Sequence, residues 1–142
     1  MRQVVLDTNV LVAGVRSRRG ASFWILSRLG RDDRFEINVS VPLLLEYEAV
    51  LKRPDTCPSL STDDVDDLLD LICSVAHARE IHFLWRPTLP DPADDMLLEL
   101  AIQSRGADII THNVRHFPVA PRLGVRAITP AAFLTELRRE LT

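Results

Sequence analysis

Short apolar runs alternate along this chain with longer stretches in which apolar side chains return every three or four positions. Gln3-Val4-Val5-Leu6 is a β-branched and aliphatic run that stops at a carboxylate, Asp7, and reads as a strand over about 3–7. Phe35-Glu36-Ile37-Asn38-Val39 alternates apolar and polar and reads as a second strand. Further strands are expected over about 80–84, 108–111 and 125–128.

Helical patterns fill the intervals. One lies near 21–30, with Phe23, Trp24, Ile25, Leu26 and Leu29 ahead of Gly30. Ser40 suits an N-cap, with Pro42 in the first turn of a helix through about Leu51. The two prolines between Lys52 and Ser59 mark a connector. Ser61-Thr62-Asp63-Asp64 resembles a capping box, and Val65, Leu68, Leu69, Ile72 and Val75 follow as an amphipathic stripe. The acids Asp63, Asp64, Asp66, Asp67 and Asp70 read as its solvated side. After Pro87, Pro90 and Pro92 a helix runs to about Ser104, with Gly106 as its stop. Thr129 and Pro130 open a last helix whose Phe133, Leu134, Leu137 and Leu141 face the core.

Alternating strands and helices imply an α/β fold. It is a three-layer α/β/α arrangement with a mostly parallel central sheet, expected to span 1–142 as a single domain. Right-handed crossovers then gather the carboxyl ends of the strands on one edge, where open sheets of this class bind ligands.

Composition narrows the reading. A chain of 142 residues with 46% hydrophobic and 26% charged residues can bury a real core. No apolar run reaches a membrane-spanning length, and the first residues are strand-like, so a cytoplasmic protein is expected. Cys57 and Cys73 make no disulfide framework in that compartment. Cys73 and His77, four apart on an expected helix, are too few for zinc, and a small buried Cys is the favoured reading. A net charge of -3 does not advertise nucleic-acid binding, although Arg16, Arg18, Arg19 and Arg115 cluster after two of the strands that reach the ligand-binding edge.

Four polar side chains from separate segments converge on the ligand-binding edge. Asp7 ends the first strand, and its plain alternative is a helix cap. Glu46 borders the apolar stripe of the helix after the second strand, where a carboxylate wants a partner or a cation. Asp91, Asp94 and Asp95 open the later helix. Asp91 suits an N-cap, and Asp94 shares a face with Leu97, Leu98 and Ala101 and so looks inward. Asn113 follows the fourth strand by two residues, past Thr111 and His112, where a turn asparagine is also common. Asp108 sits at the wrong end of that strand. Converging carboxylates raise one another's pKa unless a cation neutralises them, and Mg²⁺ or Mn²⁺ suits oxygen donors and phosphodiester hydrolysis.

These segments together resemble the PIN-domain ribonucleases, of the VapC-like kind that serve as toxins of toxin–antitoxin pairs. The resemblance covers nearly the whole chain. It rests on Val-Leu-Asp7-Thr-Asn9-Val-Leu, on Ser40 to Leu51, on Asp91-Pro-Ala-Asp94-Asp95 through Ala101, on Ala107 to Asn113, and on Ile128 to Leu134. It implies that Asp7, Glu46 and Asp94 form the acidic site for Mg²⁺ or Mn²⁺. Asn113 matches a fourth position that is Asp in many members, so one negative charge is missing. Asn9, Asp91, Asp95 and Thr111 are expected to hold the ligands or the waters around them. Arg16, Arg18, Arg19, His112 and Arg115 are candidate RNA contacts. The family also implies a homodimer and a cognate antitoxin that covers the site.

Two other classes compete. Phosphoryl transfer through an aspartyl intermediate would want a second acid where Asn9 stands. A non-catalytic interaction module would keep the fold while Asn113 marks a weakened metal site. Loops at 14–20 and 52–60 are where substrate selectivity is expected.

Overall fold

The computed structural model describes residues 1–81, 89–118 and 123–140. Among these residues five strands form one sheet: β1 (Arg2–Leu6), β2 (Phe35–Val39), β3 (His77–Ala78), β4 (Asp108–Ile110) and β5 (Ala127–Ile128), in the order β3-β2-β1-β4-β5. All four pairings are parallel. Val4, Val5 and Leu6 are consecutive and all buried. Successive strand residues point to opposite faces, so both faces of the sheet are covered, as the α/β expectation requires.

The helices are α1 (Thr8–Arg16), α2 (Ala21–Ser27), α3 (Val41–Leu51), α4 (Thr62–Val75), α5 (Pro92–Gln103) and α6 (Pro130–Arg139). Four start signals act as the sequence indicates. Ser40 Oγ accepts from Leu43 N, Asp91 from Ala93 N, and Thr129 from Ala132 N. Ser61 and Asp64 close a reciprocal capping box, each bond 3.0 Å.

Several local expectations change. The segment after Asp7 forms a full helix, α1, although Val10, Val12 and Val15 weaken its propensity. Packing overrides propensity here. Val10, Leu11 and Gly14 are buried, and a Cβ on Gly14 would lie 2.4 Å from Leu26 Cδ1. Glycine therefore lets α1 close onto α2. The third strand is His77–Ala78, ahead of the expected 80–84; residues 82–84 of that expectation, like Pro87 and Leu141, lie outside the described residues. It is too short for periodicity to reveal, and its register on Asn38 and Val39 defines it. At the end of α5 the left-handed turn begins at Arg105 (φ 63°), with Gly106 (φ 72°) following. Cys57 is buried but Cys73 is exposed, and His77 has left the helix to pair with Glu36. Among the described residues no helix is long and apolar enough to cross a membrane.

The strand order positions the site. The chain leaves β1 toward β2 and β3, then returns to β4 on the other side of β1. The carboxyl ends of β1 and β4 are therefore adjacent at the point where the winding reverses, the usual ligand crevice of such sheets.

Candidate metal and nucleic-acid site

Asp7 follows β1 and its N–H donates to Ile110 O of β4 at 2.9 Å, which ties the two strand ends together. It occupies the N-cap position of α1, yet its side chain makes no capping hydrogen bond of ordinary geometry. Its Oδ2 instead accepts from Thr111 Oγ1 at 2.8 Å and from Asn9 Nδ2 at 3.3 Å. Thr111 is fully buried and also accepts from Asn113 N at 2.9 Å. Asn9 Oδ1 accepts from His112 N at 3.3 Å, so Asn9 stitches the β1 loop to the β4 loop.

Glu46 is delivered by α3, which Ser40 caps and Tyr47 anchors. The buried Tyr47 hydroxyl donates to Leu6 O at 2.5 Å, next to Asp7. Burial, and then the nearby Asp7 and Glu46 charges, push the phenol well above its ordinary pKa, so it stays a donor. Tyr47 thus ties the helix that carries Glu46 to the strand end that carries Asp7. Replacing it with Phe is expected to cost about 1 kcal/mol for the lost buried hydrogen bond. Metal-dependent activity should fall by more than that stability loss explains. Urea denaturation alongside a cleavage assay on the same preparation measures both.

Asp7, Glu46, Asp94 and Asn113 line one cavity of about 800 Å³, together with Thr8, Asn9, Arg16, Asp91 and His116. Burial raises the Asp7 pKa above the usual carboxylate range, with the Thr111 hydroxyl opposing it. Burial also raises that of Asp94; His116 opposes the shift, while the charges of Asp91 and Asp7 add to it. Each acid is met by a hydrogen-bond donor: Thr111 for Asp7, Thr8 Oγ1 for Glu46 at 2.5 Å, and His116 Nδ1 for Asp94 at 3.1 Å. No arginine or lysine pairs with any of the three among the described residues. Asn113 presents an exposed side chain to the cavity.

Other expected site residues fall elsewhere. Asp95 is buried but outside the cavity, because its Oδ1 accepts from Leu89 N at 2.9 Å and holds the segment entering α5. Asp91 lines the cavity and caps α5 at once. Arg16 reaches the cavity wall, where its guanidinium donates to Thr56 O at 2.6 Å and Asp55 O at 3.3 Å, joining α1 to the 52–60 connector. Arg18 and Arg19 are exposed in the turn after α1 and do not line the cavity. His112 meets Ser22 Oγ at 3.2 Å. His112 and Arg115 line a neighbouring cleft of about 450 Å³ that shares Asn113 and His116 with the acidic cavity.

Sequence reasoning passed over Thr8 and His116. The signal for His116 was its spacing, three residues after Asn113, which one 3-10 turn over Val114–His116 converts into proximity to Asp94.

The chain belongs to the PIN-domain family, whose model matches residues 3–115. The fold is also that of two solved structures. One is VapBC2 from Rickettsia felis bound to a DNA fragment from their promoter, 15% identical, covering 89% of this chain and 98% of that chain with a TM-score of 0.59. The other is DNA-bound VapBC from Salmonella typhimurium, 19% identical, covering 92% of this chain and 99% of that one with a TM-score of 0.61. Among curated proteins there is no significant match.

Three carboxylates are oxygen donors of the kind that hard divalent cations take. Asp7 and Asp94 are desolvated, their charges repel, and among the described residues no lysine or arginine pairs with either. Among the described residues, no three such side chains are drawn together tightly enough to grip an ion. In this conformation each acid is instead hydrogen-bonded to its own neighbour, Thr111, Thr8 or His116.

Proposed function

We propose that this protein is a Mg²⁺- or Mn²⁺-dependent endoribonuclease that hydrolyses RNA phosphodiesters and acts as the toxin of a toxin–antitoxin pair. The observation that carries this reading is the convergence of Asp7, Glu46 and Asp94 on one cavity, with no lysine or arginine paired to any of them among the described residues. Asp7 and Asp94 would hold the metal, with Glu46 completing its ligands or orienting water. A metal bound there activates water and offsets charge on the phosphate. Asn113, between the acidic cavity and the His112–Arg115 cleft, is placed to position water or a phosphate oxygen. His112 and Arg115 then take the flanking phosphates as sequence-independent contacts. Arg18 and Arg19, solvated and farther out, extend that positive rim. Arg16 acts on the cavity wall through the connector backbone it holds.

The likeness to VapBC structures supports a cognate antitoxin partner; that this partner covers the acidic cavity, and that the chain assembles as a homodimer, belong to the same proposal. A non-catalytic interaction module is favoured by one observation, the spread of the three acids in this conformation. One experiment separates the two. Purified protein is incubated with defined RNAs and Mn²⁺ or Mg²⁺, with a chelator control. Endonucleolytic cleavage that the chelator abolishes is the expected result. Tight Mn²⁺ binding without cleavage of any RNA, or no binding at all, would overturn the nuclease reading.

A further inference from the structure

His116 is the one ring nitrogen donor among the described residues that line the acidic cavity. Its Nδ1 stands 3.1 Å from Asp94 Oδ2, and the ring lines the same cavity as Asp7 and Glu46. The side chain is half exposed and no other hydrogen bond to the ring appears among the described residues, so it is free to reorient. His112, the neighbouring imidazole, is tied to Ser22 and does not line the acidic cavity.

A carboxylate-only site suits Mg²⁺, which demands hard oxygen donors and keeps its waters. An imidazole at the same place changes the chemistry, because nitrogen donors favour first-row transition ions over Mg²⁺. Resting on the metal-site reading above, we propose that His116 supplies a nitrogen ligand to the cation held by Asp7 and Asp94, and so biases this site toward Mn²⁺ over Mg²⁺. The Asp94 hydrogen bond is then the resting position of that ligand. It keeps the ring beside the carboxylate with which it shares the ion, and this accounts for acids that are gathered in one cavity yet not closed on one point.

The test uses the whole chain and Mn²⁺ as the spectroscopic probe. Mn²⁺ bound to the wild-type protein is expected to show nitrogen modulation in pulsed electron paramagnetic resonance. His116→Gln should lose that modulation, while His112→Gln keeps it. In competition titrations His116→Gln should weaken Mn²⁺ binding by more than the roughly 10–100-fold typical of residues that only support ligands, and leave Mg²⁺ binding nearly unchanged. Mn²⁺ bound without nitrogen coupling, or an unchanged Mn²⁺/Mg²⁺ preference in His116→Gln, would overturn the ligand role while leaving the metal site intact. Wild-type protein that binds no Mn²⁺ would overturn both. The half-exposed position of His116 means that the Gln variant should fold, and circular dichroism checks it.

Discussion

Asp7→Asn is expected to abolish RNA cleavage while raising the thermal midpoint of the metal-free protein. The two effects have one cause. Burial holds the Asp7 carboxyl above its usual pKa, against the smaller opposing pull of the Thr111 hydroxyl. A carboxyl with a raised folded-state pKa stabilises the fold fully only below its unfolded pKa, and that contribution is lost as pH rises through the folded pKa. At neutral pH the buried charge therefore opposes folding, and Asn does not carry it. The Asn Oδ1 can still accept from Thr111 Oγ1, so the stitching of β1 to β4 survives. The advantage of the variant should be largest near neutral pH and shrink as the solution is acidified below the Asp7 pKa.

Metal reverses the order. At Mn²⁺ a hundredfold above its dissociation constant, the wild-type protein gains about 2.7 kcal/mol, and Asp7→Asn gains little. Loss of a direct ligand should lower the cleavage rate by more than the roughly 10–100-fold typical of residues that only support ligands. Thermal melts of both proteins, with and without Mn²⁺ and at several pH values, check the crossing. An Asp7→Asn protein that cleaves RNA at the wild-type rate with Mn²⁺ would remove Asp7 from the site. One that melts lower than wild type without metal would show that the charge is compensated in some other way.

The same physics explains what was legible in the sequence. Asp7 reads as a helix cap from its neighbours alone, and it does sit at the start of α1. Topology gave it a second meaning, because the parallel order places the ends of β1 and β4 side by side. Strands buried on both faces, such as β1, and capped helices, such as α3, α4 and α6, carry their signal locally. Elements defined by partners do not. The two residues of β3 exist through their register on β2, and α1 is held by its packing on α2, which comes close at Gly14. Helical phase distinguishes Asp94 from Asp95 by direction only. Both are buried, and the chain entering α5 decides that Asp95 serves Leu89. His116 was hidden for a related reason. A 3-10 turn, with no apolar period to announce it, brings that side chain back over Asp94.

Phe133→Ala should produce the opposite phenotype, a protein whose site is intact and whose fold is barely held. Helix α6 lies beyond the stretch matched by the family model, yet it is built into the core. The Phe133 ring is fully buried, edge-on to Phe35 with centroids 5.4 Å apart, and Arg2 lies over its face at 5.7 Å. Around it, Glu136 meets Arg2 at 2.8 Å and Arg126 at 3.0 Å, and Arg126 reaches Asp108 at 2.7 Å. These ion pairs are partly solvated and worth about 0–1 kcal/mol each, whereas deleting a buried phenylalanine ring costs about 3–5 kcal/mol. Burial of the Phe133 ring therefore does more to hold α6 than the charge network does. A loss of that size is a large share of the roughly 5–15 kcal/mol that stabilises a domain. Phe35 and Arg2 begin their strands, so the damage falls at the end of the sheet opposite Asp7 and Asn113. Chemical denaturation should show the midpoint falling steeply. Mn²⁺ titration of the fraction that remains folded should give the wild-type affinity. A Phe133→Ala protein of near wild-type stability would mean that α6 is held by its ion pairs after all. One that folds but has lost Mn²⁺ would mean that the two ends of the sheet are coupled.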